Sequence, residues 1–121
     1  MSDIFPQIYE KLRHVLQAHD RTFINSVDSG QEYALVVPHD GKTLPEHFFA
    51  SAVIRKQYVS FYLMPVYIYP ELLDGISPEL KKRMQGKSCF NFKKPDAALF
   101  SELEALTAAS VEKYRQEGRI A

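Results

Sequence analysis

The stretch KSCFNFKK, residues 87–94, carries the only cysteine of the chain, with Lys87 before it and Lys93 and Lys94 after it. Neighbouring cations favour the thiolate, which is the form that attacks electrophiles and binds metals. Nucleophilic catalysis also needs a positioned base, and no histidine stands near Cys89 in sequence. Cys89 therefore reads as a lining residue. A second candidate is the loop PHDGKTLPEH, whose His39, Asp40, Glu46 and His47 are all types that bind transition metals. Their spacing matches none of the HxH, CxxC or HExxH arrangements, so the loop offers ligands without a recognised framework.

Other reactive patterns are excluded more firmly. DGKT at residues 40–43 looks like the end of a phosphate-binding loop but lacks that motif's earlier glycine and the helix that follows it. Glu102 and Glu104 stand two apart, a spacing that points them in different directions on a helix. No Ser-His-Asp order or nucleophile elbow is present, so no residue is assigned a catalytic role and a binding protein is expected over an enzyme. Lys81, Lys82 and Arg83 form a basic run that Lys87, Lys93 and Lys94 extend. Without the aromatic-rich signatures of RNA-binding modules it reads as a solvated helix face, and no nucleic-acid partner is expected.

Composition agrees with a local site. The 121 residues suit one domain, and a 45% apolar content with seven Tyr and eight Phe suits a packed core. Fifteen basic residues balance fifteen acidic ones, so no global field draws the chain to polyanions. A single cysteine precludes an internal disulfide, and Asp3 and Pro6 interrupt the place of a secretory signal. A cytoplasmic protein is the expectation. The longest apolar run, YVSFYLMPVYIYP, is shorter than the roughly 20 residues of a membrane-spanning helix and contains Ser60 and Pro65, so it belongs to the core.

The elements that must position these residues follow from periodicity. Ile4, Phe5, Ile8, Tyr9, Leu12, Val15 and Leu16 recur at helical spacing, with Ser2 or Asp3 as cap and an end near His19. Residues 22–27 and 33–37 flank DSGQ as a hairpin, and residues 48–55 and 58–64 form a second hairpin. Pro65 and Pro70 break the pattern. SPELKKRMQGK reads as a short helix capped by Ser77 and closed by Gly86, leading into a strand over 88–93. Asp96 then caps a long helix carrying Leu99, Phe100, Leu103, Leu106 and Tyr114 and ending at Gly118. The expected fold is one α+β domain over residues 1–121: an antiparallel sheet of about five strands, two long terminal helices packed on one face, and a short helix before the last strand.

Strand parity then selects a surface. Alternation sends Phe90 and Phe92 to the helices and Lys87, Cys89, Asn91 and Lys93 to the other face. The same rule puts Val59, Phe61 and Leu63 inside and Tyr58, Ser60, Tyr62 and Met64 outside, and it separates Phe48, Ala50, Ala52 and Ile54 from Phe49, Ser51, Val53 and Arg55. The outer face so collects tyrosines, hydroxyls, a thiol and cations. Aromatic walls with basic residues suit a small anionic or aromatic ligand. The candidate site is Arg55, Tyr58, Tyr62, Lys87, Cys89 and Lys93, with a partner chain, including a second copy in a homodimer, as the other occupant of this face.

The run ISPELKKRMQGKSCFNFKK followed by DAALFSELEALT, with YVSFYLMPVY upstream, resembles small bacterial proteins of unknown function and, more distantly, the YdhG-like superfamily. The resemblance covers residues 58 to about 118, roughly half the chain. It implies an α+β fold with helices on an antiparallel sheet and supplies no catalytic residues and no defined cofactor. Some members are compared with frataxin and suspected of handling iron, which implies metal handling as the alternative function. Frataxin-like sites use an acidic ridge on the first helix; here that helix carries Asp3, Glu10 and a trailing Asp20, so the metal reading rests on the 39–47 loop.

Overall fold

The computed structural model describes residues 4–38 and 47–120. Ser2 and Asp3, the expected caps of the first helix, lie outside the described residues, as do His39, Asp40 and Glu46 of the loop.

Helix α1 spans Phe5–Gln17 and takes Pro6 in its first turn, where the missing N–H costs no hydrogen bond. Its buried stripe is Phe5, Ile8, Tyr9, Leu12, Val15 and Leu16. The chain keeps turning after it, with Thr22 N–H donating to the His19 carbonyl, so the first strand begins two residues later than its β-branched content suggests. Strands β1 (Ile24–Asp28) and β2 (Glu32–Val36) form the expected hairpin, whose turn is held by Ser29 Oγ accepting from the N–H groups of Gln31 and Glu32. Strands β3 (Phe48–Ile54) and β4 (Val59–Leu63) form the second hairpin.

Pro65, expected as a breaker, instead stands in the first turn of a five-residue helix, α2 (Met64–Ile68). A 3-10 turn at Pro70–Leu73 and helix α3 (Pro78–Lys81) follow, then strand β5 (Cys89–Phe92) and helix α4 (Ala97–Gln116). The sheet is a five-stranded antiparallel meander in the order β1-β2-β3-β4-β5. Asp96 caps α4 as its position implied, its side chain accepting from Leu99 N–H at 3.1 Å.

One face of the sheet carries the core. Tyr33, Leu35, Ala50, Ala52, Val59, Phe61, Leu63, Phe90 and Phe92 are buried there beneath α1 and α4, with Phe100 of α4 edge-on to Phe92 at 5.1 Å. Phe49 is the exception to alternation. Leu35 pairs with Ala50 and Val36 with Phe48, so Phe49 is the extra residue of a bulge. It turns to the helix side, stacks on Phe23 at 4.0 Å and meets Tyr114 edge-on at 5.5 Å. An inserted residue restarts the alternation, which is why strict parity misassigned it.

Candidate functional site

The opposite face is built by the same register. Tyr62 of β4 lies across from Cys89 of β5, and Ser60 across from Asn91. Around them Arg55 Nη2 donates to Tyr62 Oη at 3.1 Å, with the guanidinium 5.8 Å from that ring's centroid. Ser60 Oγ, fully buried, donates to Asn91 Oδ1 at 2.7 Å; Cys89 Sγ donates to the same oxygen at 3.3 Å. Asn91 Nδ2 in turn donates to Gln85 Oε1 at 2.7 Å. The flanking lysines do not activate the thiol. Burial pushes the Cys89 pKa up, and hydrogen bonds with Ser60 and Tyr62 and the charge of Arg55 offset this only in part.

Beside β5 runs a segment that periodicity assigned to a helix. Ser77 caps α3, accepting from Leu80 N–H, and is tied to α4 through hydrogen bonds to the Glu102 carboxylate. The helix stops at Lys81, after which residues 83–85 pair with the sheet edge. Asn91 N–H donates to the Arg83 carbonyl at 2.8 Å, Gln85 N–H donates to that of Cys89 at 2.9 Å, and Met84 bridges Phe90. Gly86, at φ +80°, makes the reversal into β5.

Where this ribbon, β5 and the turn before β4 adjoin lies a groove of about 370 Å³, whose polar lining is Gln57, Tyr58, Lys82, Arg83, Gln85, Asn91 and Lys93, with Met84 beside them. No carboxylate belongs to that lining. Among the described residues, Lys82, Arg83 and Lys93 make no ion pair. A second groove of about 570 Å³ shares those three cations and adds Glu79, Phe92, Lys94, Pro95, Asp96 and Leu99.

The six residues singled out from sequence therefore divide. Arg55, Tyr62 and Cys89 form the hydrogen-bonded centre of the face, while Tyr58 and Lys93 line the adjoining groove. Lys87 stands apart, its ammonium 5.7 Å from the exposed ring of Tyr67. Asn91 appeared in the sequence reading as a neighbour of Cys89 and is the residue that joins the centre to the groove. Lys82 and Arg83 were read only as part of a solvated basic run, and Gln85 was missed. The available signal was Gly86, which can close a ribbon onto a strand as readily as it can end a helix.

Of the metal-binding candidates, only His47 is described. It is half-buried just before β3, and its carbonyl accepts from Val37 N–H at 2.6 Å. Among the described residues no three His, Cys, Asp or Glu side chains gather where they could hold an ion, and no helix is long and apolar enough to cross a membrane. Comparisons with protein-family models, curated proteins and solved structures find no match.

Proposed function

We propose that this chain binds a small oxyanion in the groove lined by β5, the 83–85 ribbon and the turn before β4. One observation carries the reading: the groove's polar lining is rich in hydrogen-bond donors and contains no carboxylate. Lys82, Arg83 and Lys93 are obligate donors. The oxygen of Asn91 accepts from both Ser60 and Cys89, and the oxygen of Gln85 accepts from Asn91, so the remaining hydrogen-bonding capacity of the two carboxamides is mainly N–H. The Tyr58 hydroxyl can donate as well. Acceptor-rich, negatively charged groups complete such a site, whereas a neutral aromatic would leave its donors unpaired.

Binding is favoured over covalent chemistry because burial raises the pKa of the Cys89 thiol and, among the described residues, no histidine is its hydrogen-bond partner. The test is calorimetric titration with inorganic phosphate at low salt. Saturable binding is expected, weakened about tenfold or more by Lys82→Gln combined with Arg83→Gln, and unchanged by Lys11→Gln on α1. No saturable binding, or equal weakening by the α1 variant, overturns the proposal.

A further inference from the structure

The two grooves meet along a shared ridge of Lys82, Arg83 and Lys93, but their other walls differ in chemistry. The smaller one presents Tyr58, Gln85 and Asn91. The larger one presents Phe92, Pro95 and Leu99, with Lys94 set against Glu79 and Asp96. Asp96 is already engaged in capping α4 through Leu99 N–H. Those private charges give no preference for a second anionic group, while exposed Pro95, with only the edges of buried Phe92 and Leu99 beside it, gives the larger groove an apolar surface that water solvates poorly.

Resting on the reading above, we infer that the ligand is an organic oxyanion rather than an inorganic one: a phosphate or carboxylate head in the smaller groove, with an apolar body across the ridge against Phe92, Pro95 and Leu99. The aliphatic stems of Lys82, Arg83 and Lys93 suit such a crossing. Long cationic side chains pack their methylenes along apolar groups while their heads hold charge. Each groove, at about 370 and 570 Å³, falls in the range of sites for small organic molecules and exceeds what a bare phosphate needs.

The experiment compares inorganic phosphate with phenyl phosphate as probes, by calorimetry and by amide shifts of the full chain. Phenyl phosphate is expected to bind about tenfold more tightly, since covering part of one ring contributes roughly that factor. It should shift the amides of Phe92, Asp96 and Leu99, which inorganic phosphate leaves in place. Pro95→Ser with Leu99→Ala should erase the preference and leave phosphate affinity unchanged. Because Leu99 is buried, the shift map of the unmodified chain is the readout that does not depend on the variant folding. Equal affinities with phosphate still bound overturn this inference and spare the oxyanion site. Binding of neither probe overturns both.

Discussion

Cys89 and Tyr114 show how position outweighs residue type. Lysines on both sides of Cys89 suggest a reactive thiolate, yet the strand turns Cys89 into a hydrogen-bonded cluster while Lys87 is drawn to Tyr67. With its pKa raised, native Cys89 should react with an aromatic disulfide reagent at pH 8 about tenfold more slowly than the denatured chain. A native rate equal to the denatured rate would contradict this placement. Tyr114 is buried on α4, its hydroxyl has no hydrogen-bond partner among the described residues, and burial pushes its pKa up to about 12. The unfolded chain releases this proton from about pH 10 while the folded chain retains it, so the contribution of Tyr114 to stability is intact below pH 10 and falls by roughly 1.4 kcal/mol per pH unit up to about 12. Tyr114→Phe should remove that contribution and cost less than about 1 kcal/mol at pH 7, because no bond is lost. Urea titrations at pH 7, 10 and 11 measure both effects.

At the scale of the element, the long helices were legible because their signals are local. The stripe of α1 and the Asp96 cap of α4 are spacings that neighbouring strands cannot alter, and Asp96→Ala should cost about 1 kcal/mol in the urea midpoint. Elements that depend on pairing were less legible. Phe49 is the extra residue of a bulge that exists only because β2 and β3 meet in a given register, and no periodicity within 48–55 announces it. Phe49→Ala should accordingly cost about 3–5 kcal/mol, as a core truncation does, whereas truncating exposed Val27 of β1 should cost far less. Similarly, SPELKKRMQGK has helical propensity throughout, but hydrogen bonds from Gln85 and to Arg83 pull its second half onto the sheet edge. Gly86 allows that reversal. A Cβ there would touch nothing yet sit at φ +80°, so Gly86→Ala should cost about 1 kcal/mol and weaken phosphate binding by loosening the ribbon, while Gly30→Ala should leave both near the original values.

The whole molecule explains why the candidate site was only partly visible. Parity within single strands was enough to group Arg55, Tyr62 and Cys89, and to put Tyr58 and Lys93 on the same face. It could not reveal that residues 82–85 return to that face, because this follows from the chain's path after α2 and α3. The balanced total charge conceals the local arrangement too. Cations converge where β5, the ribbon and the start of α4 meet, in a chain whose formal net charge is zero. The most direct measurement of this account is an amide-resolved NMR titration of the full chain with inorganic phosphate at two salt concentrations. An oxyanion site in this groove predicts saturable shifts centred on Lys82, Arg83, Gln85 and Asn91, weakened by added salt. Shifts scattered over unrelated basic residues, or none at all, would contradict it.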